Sequence, residues 1–497
     1  MKNLIALLLI LLFALLVDHS HQFSRHRALS QFLARRRSAV ESPTHEWIAP
    51  SVNFDHIYPQ DGLQENDKIT SLPGQPSNVT FAQYSGYVTV DSKAGRALFY
   101  YFAEATQDPS SKPLLLWLNG GPGCSSFGFW AMTELGPFRV QRDNTTLTSN
   151  PYAWNQVANT LFLDSPAGVG FSYSNTTSDY DNANDLNTAR DAYTFLLNWF
   201  ERFPQYKNRE FYIAGESYAG FYVPELADTI LKNNNSQTPF VNLKGVMIGN
   251  GLMNFEMDHC GMVDYLWSHA LMSDEDYANE RCIASNSSYQ TQSRTIQSQP
   301  KSDWGEINIY NIYAPLCPSH PNPIWKYSTL GSSTFTIDAS MDGLDGFDPC
   351  TPAYVQTYLN THVVQNALHA NVTSLPYAWD ECNFEINKNY NISVITMLPI
   401  YQRMMTSRLR ILVYSGDVDA SVPVTGTRYS INALKLPIEK EWYPWMNGDI
   451  EVGGYSVIYK GLIFATVRGA GHEVPSYQPS RALTMTKYFL ANKPLPS

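Results

Sequence analysis

Residues 211–224 read FYIAGESYAGFYVP, and this stretch decides the fold. Phe211 to Ala214 is a short apolar run that suits a buried strand. Gly215, Ala219 and Gly220 crowd small side chains around Ser217, and Leu226, Ala227, Ile230 and Leu231 then recur at helical intervals. A serine at a sharp strand-to-helix turn, hemmed in by residues without bulk, is the nucleophile elbow of an α/β hydrolase. The turn lifts the hydroxyl clear of the sheet, where a base can reach it, and aims the Tyr218 amide at a developing oxyanion. Ala219 stands where the strict pattern has glycine. So short a string arises by chance as well, and the rest of the chain has to carry the assignment.

Upstream, Leu114 to Leu118 is a continuous apolar run, as expected of a strand buried on both faces. The glycine-rich loop Asn119–Gly123 follows it; a loop of this kind at the carboxyl end of a strand exposes backbone N–H groups where open α/β sheets bind ligands. Asn159 to Asp164 reads as another buried strand, leading into SPAGVGFSYS. Asp185 to Phe203 carries a helical stripe through Ala189, Ala192, Tyr193, Leu196, Leu197 and Phe200. Downstream, GVMIGNG at 245–251, RILVYSGDVDASVP at 410–423 and LIFATVRGAGHEVP at 462–475 each read as a strand and a loop, and Ser480 to Leu490 closes the chain as a helix. Buried strands alternating with helices signal a mostly parallel central sheet. Residues 79–105 read instead as antiparallel strands, with turns at Ser85-Gly86 and Ala94-Gly95.

The alternation lapses from Met253 to Trp379, a stretch that holds Cys260, Cys282, Cys317 and Cys350 and has few strand signals. It reads as a cap or lid inserted in the hydrolase core. The chain thus divides into a signal peptide at 1–20, a leader or propeptide at 21–46, a first core part at 47–252, the cap at 253–379 and a second core part at 380–497. Within the cap, Lys326 to Asp345 is polar and reads as an exposed loop open to proteolysis.

The signal peptide rests on Lys2 followed by an apolar run from Leu4 to Val17, shorter than the roughly 20 residues a membrane span needs. Sequons at Asn78, Asn144, Asn175, Asn234, Asn286, Asn371 and Asn391 point to a glycosylated surface. Six cysteines without a C-x-x-C favour disulfides in an oxidising compartment over a metal or redox site, so no metal is expected. A net charge of −11 excludes a nucleic-acid partner.

Three strand ends carry Ser217, then Asp417 or Asp419, then His472, in the chain order serine, acid, histidine of the α/β-hydrolase triad. In that chemistry His472 takes the hydroxyl proton as Ser217 attacks a carbonyl, and the acid orients the imidazole. At this level the choice between the two aspartates stays open.

WLNGGPGCSS, ELGPF, FLDSPAGVGFSYS, GESYAGFYVP, YSGDVDASVP and GAGHEVP appear in this order, and the chain resembles the serine carboxypeptidase family, in its plant-type branch, over residues 47–495. The resemblance implies Ser217 as nucleophile, His472 as base and Asp419 as the catalytic carboxylate, with Asp417 structural. It implies oxyanion donors at Gly121 and Tyr218, and a grip on a substrate's terminal carboxylate by Asn119, Gly120 and Glu216, with Glu134 as the partner acid of Glu216. Trp117 and Glu473 match contacts to the leaving residue. Disulfides Cys124–Cys382 and Cys317–Cys350 are implied as well. The family's usual downstream partner for Cys282 is missing and Cys260 stands upstream, so these two are left to pair. Where relatives excise the loop inside the Cys317–Cys350 ring, such bridges hold two chains together.

The function this implies is removal of C-terminal residues from peptides at acidic pH, in the secretory pathway, extracellular or vacuolar, without a cofactor. Peptide or protein C-termini are the expected partners, with no membrane span after signal removal, and a homodimer is allowed. The alternative is a related acyltransferase that draws on sugar esters. In that branch the glutamate before the serine is replaced by aspartate and the loop asparagine is altered, whereas Asn119 and Glu216 stand here.

Overall fold

The computed structural model describes residues 46–52, 57–234, 241–285, 288–291, 307–317 and 347–497. The stretches read as signal peptide and leader, the sequon at Asn286 and the polar loop Lys326–Asp345 lie outside the described residues. An eleven-stranded sheet runs through the chain. Its strands, in chain order, are β1 Lys68–Ile69, β2 Gln83–Asp91, β3 Arg96–Ala103, β4 Leu114–Leu118, β5 Asn159–Leu163 and β6 Phe211–Glu216. They continue as β7 Leu243–Gly249, β8 Arg410–Gly416, β9 Ile438–Asn447, β10 Glu451–Tyr459 and β11 Leu462–Val467. The spatial order is β1-β2-β3-β5-β4-β6-β7-β8-β11-β10-β9. From β5 to β11 the neighbours are parallel, and the strands outside them pair antiparallel.

Because side chains alternate along a strand, the parallel strands feed two hydrophobic cores at once. On β4, Leu114, Leu116 and Leu118 pack into one core, and Leu115 and Trp117 into the other. Helices α1 Asp185–Arg202, α2 Ala219–Asn234 and α3 Leu398–Thr406 add Phe195, Trp199, Leu226, Ile230 and Ile400 to the first core. The closing helix α4, Pro479–Leu490, adds Ala482, Met485 and Phe489 to the second. Asn184 caps α1, its side chain accepting the Asn187 N–H at 2.9 Å.

One expectation needs correction, and one hairpin carries no signal in the sequence analysis. Ser85-Gly86 lies inside β2, paired with Tyr101 and Tyr100, and does not turn; burial of a glycine within a strand outweighed its local preference. The β9–β10 hairpin escapes an alternation count, because its register is broken by irregularities around Lys440 and Trp445. The Ala94-Gly95 turn does join β2 to β3, with Gly95 at φ 65°.

Between β7 and β8 the chain leaves the sheet, forming a helix at Phe255–Ser268, a two-stranded ribbon Cys282–Ser285 and Ser288–Thr291, and a helix at Thr351–Leu359. Disulfides close Cys124–Cys382, Cys260–Cys282 and Cys317–Cys350. Among the described residues, no helix is long and apolar enough to cross a membrane.

Candidate active site

β6 ends at Glu216 and α2 begins at Ala219, so Ser217 and Tyr218 make the whole turn. Ser217 adopts φ 62°, a left-handed conformation that is unfavourable for a residue with a β-carbon and persists only when its surroundings impose it. They do so here. Ser217 N donates to Gly249 O at 3.2 Å, and Ser217 O accepts from Gly220 N at 3.0 Å and Leu252 N at 3.1 Å. A β-carbon on Gly215 would lie 2.7 Å from that of Ala219, so the missing side chain at 215 makes room for a methyl where the strict pattern has glycine. A β-carbon on Gly120 would strike the Tyr218 amide nitrogen and sit 2.9 Å from Ser217 Cβ. The glycine loop therefore lies directly against the elbow.

The acid and histidine loops leave the neighbouring strands β8 and β11. His472 Nδ1 is 2.8 Å from Asp419 Oδ2. A carboxylate only accepts, so Nδ1 carries a proton, and in the neutral ring Nε2 is the free nitrogen. Asp419 is fully buried and also accepts from Asn250 Nδ2 at 2.8 Å, Ser421 N at 2.7 Å and Val422 N at 3.1 Å. Asp417 turns elsewhere, its Oδ1 accepting Gly469 N at 2.6 Å. Burial opposes the charge on His472, but Asp419, Glu216 and Glu473 outweigh it and push the imidazole up to about 9.

Glu216 is buried at the end of β6, next in sequence to Ser217. Burial pushes its carboxyl up to about 8; Glu473 and Asp419 add to the rise, while His472 and the indole N–H of Trp130, which donates to Oε1, oppose it. Glu216 therefore keeps a proton well into neutral pH. Glu134 is fully buried; burial raises the Tyr414 phenol, and the nearby carboxyl groups of Glu216 and Glu134 add to that rise. Asn119 is held through its own N–H to Ser126 Oγ at 2.9 Å and through Oδ1, which accepts Gly120 N at 2.7 Å. Its Nδ2 is buried with no acceptor among the described residues, a donor left unspent at the mouth of the glycine loop.

Trp117 is fully buried on β4, edge-on to Trp154 with ring centroids 5.5 Å apart. Glu473 is buried directly after the histidine. Of the sequon asparagines, Asn78, Asn175 and Asn391 are exposed, and Asn144, Asn234 and Asn371 are half-buried. Asn250 and Trp130 are the residues sequence reasoning missed. Asn250 ends a strand whose glycines drew the eye, and its position directly before Gly251 in a strand-end loop was the available signal. Among the described residues, no group of acidic, histidine or cysteine side chains could hold a metal ion.

The family model for serine carboxypeptidases matches residues 73–492. The chain is 51% identical over 446 residues to serine carboxypeptidase-like 40 of Arabidopsis thaliana, covering 88% of this chain and 85% of that protein. It is 46% identical over 445 residues to serine carboxypeptidase-like 26 of Oryza sativa subsp. japonica, covering 87% and 92%. Among solved structures, Kex1, a prohormone-processing carboxypeptidase from Saccharomyces cerevisiae, superposes with a TM-score of 0.66 at 21% identity over 86% of this chain and 96% of that one, a likeness of fold. The chain belongs to the serine carboxypeptidase family and is a serine-type carboxypeptidase with the α/β-hydrolase fold.

Proposed function

We propose that this enzyme removes single residues from the carboxyl end of peptides at acidic pH, with Ser217, His472 and Asp419 as its triad. Ser217 Oγ attacks the last peptide carbonyl while His472 Nε2, in the fraction of enzyme whose imidazole is neutral, takes its proton, and the amides of Gly121 and Tyr218 receive the oxyanion. Collapse breaks the C–N bond, and His472 returns the proton to the departing amino acid. Water, activated by the same imidazole, then hydrolyses the acyl-enzyme.

The observation that carries the reading is Glu216. A buried acid that stays protonated up to about pH 8, one residue from the nucleophile, can donate a hydrogen bond to a terminal carboxylate, which an ionised one would repel. Asn119 Nδ2 and the Gly120 loop supply further donors, and Glu134 is the second buried acid of the pair we assign to this clamp. Trp117, assigned with Glu473 to the leaving residue, is fully buried and can act on it only through the loop it supports, whereas Glu473 is assigned the direct contact. The stretch 253–379 acts as the cap.

An acid optimum suits the vacuole or the cell exterior. The apolar run Leu4–Val17, the exposed sequon asparagines and the three disulfides support passage through the secretory pathway. The test is a peptide library offered both as free acids and as C-terminal amides, alongside glucose esters with an acceptor alcohol. Stepwise loss of C-terminal residues from free acids alone is the expected result. Equal trimming of amides, internal cleavage, or acyl transfer without peptide hydrolysis would overturn the reading.

A further inference from the structure

We infer that the stretch Cys382–Ser393, where the chain comes back from the insertion, is a clamp that fixes the two oxyanion donors relative to each other, with Asn387 and Asp185 as its positioning residues. The inference rests on the assignment of Gly121 and Tyr218 as those donors. An oxyanion hole works when both N–H groups lie about 2.7–3.1 Å from one oxygen. Parallel pairing of β4 with β6 fixes the strand ends, but Gly121 lies beyond β4 in a loop of glycines. It adopts φ 108°, which only glycine takes readily, so the strands alone do not hold its amide.

The returning stretch grips that loop from one end and the elbow from the other. On the loop side, Cys382 is bonded to Cys124, Asn383 N donates to Gly123 O at 2.9 Å, and Asn387 Nδ2 donates to Pro122 O at 2.9 Å. On the elbow side, Ser393 N donates to Asp185 Oδ2 at 2.6 Å, and Tyr218 Oη donates to Asp185 Oδ1 at 2.9 Å. Asp185 is fully buried in the first turn of α1, where its carboxyl group meets the positive end of the helix. The Tyr390 ring fills the space between, its centroid 5.7 Å from that of Tyr218 and its hydroxyl donating to Thr188 Oγ1 at 3.0 Å. One carboxylate thus ties the side chain of an oxyanion residue to the backbone of the clamp. Asn387, also buried, does the same for the other donor's loop.

Tyr218→Phe deletes only the hydroxyl and leaves the amide in the chain, and Asn387→Leu cuts the opposite arm. Each variant is titrated with a serine-reactive phosphonate, so that rates are expressed per intact site. Hydrolysis of a free-acid peptide and inhibition by the matching peptide aldehyde, whose hemiacetal presents an oxyanion, are then measured. The expected result is a drop in kcat of about 10- to 100-fold, an equal loss of aldehyde affinity, and KM within about twofold. Unchanged kcat and aldehyde affinity per titrated site, or lower kcat with undiminished aldehyde affinity, overturns the clamp. If Tyr218→Phe does not fold, Asn387→Leu decides alone by the same criteria. Should the wild-type enzyme bind the aldehyde no better than the corresponding alcohol, the oxyanion assignment itself fails, which is a different outcome from failure of the clamp.

Discussion

Asp417 and Asp419 stand two residues apart on one loop, and their surroundings divide the work between them. Asp419 meets His472 and three further donors, whereas Asp417 pins the glycine turn at Gly469. Asp419→Asn should therefore lower kcat about 10⁴-fold, because an amide no longer fixes the imidazole tautomer, whereas Asp417→Asn should cost stability with kcat within about tenfold. Steady-state rates with thermal unfolding on both variants check this, and equal kcat losses would reverse the assignment. Glu216 allows a sharper test. Wild-type KM for a free-acid peptide should rise as the pH passes about 8, where the buried acid gives up its proton. Glutamine copies the protonated acid at every pH, so Glu216→Gln should hold KM flat across that range. A KM that rises equally in the variant would remove Glu216 from carboxylate binding.

At the scale of elements, the elbow and the glycine loop act as one piece, since the backbone at 120 touches the amide of Tyr218. Gly120→Ala should push the two apart and lower kcat more than about 100-fold, while phosphonate labelling of Ser217 slows in parallel. Unimpaired labelling would show that the loop yields without disturbing the serine. This union explains what the sequence could and could not tell. Ser217, His472 and the strands that deliver them are local patterns: an apolar run, a cluster of small residues, a polar loop. Leu114–Leu118 and the helix from Asp185 were readable for that reason, almost to the residue. The choice of Asp419 over Asp417 needed either a family resemblance or a hydrogen bond spanning 53 residues. Asn250 and Trp130 reach their partners Asp419 and Glu216 across 169 and 86 residues; the glycine after Asn250 marks a strand-end loop, but nothing local names either partner. Glycine misled once, at Ser85-Gly86, where a partner strand imposes extended backbone on a turn-like pair.

The molecule as a whole carries several buried acids whose protons are held tightly. Burial pushes Asp164, Asp185 and Asp191 each up to about 6 and Glu216 up to about 8, and it raises Glu225 well above the ordinary carboxyl range. A carboxyl group with a raised folded pKa binds its proton more tightly in the native state than in the unfolded chain. Its contribution is complete below the unfolded value near 4 and is lost as the pH climbs through the folded one. His472, raised to about 9, acts in the same sense, its contribution ending as the pH passes that value. All of these groups favour the folded state in acid, so the melting temperature should fall by several degrees as the pH rises from about 4 toward 8. Glu225 isolates the effect. It is fully buried on α2, its carboxyl oxygens make no hydrogen bond among the described residues, and Asp185 and Asp228 both oppose its ionisation. Glu225→Gln preserves the shape and cannot ionise, so at pH 8 the variant should melt above wild type, and near pH 4 the two should converge. Thermal unfolding followed by tryptophan fluorescence from pH 4 to 8.5 measures both curves. A wild-type melting temperature that rises with pH, or a variant curve parallel to wild type, would mean that these buried acids do not set the pH range in which the fold holds.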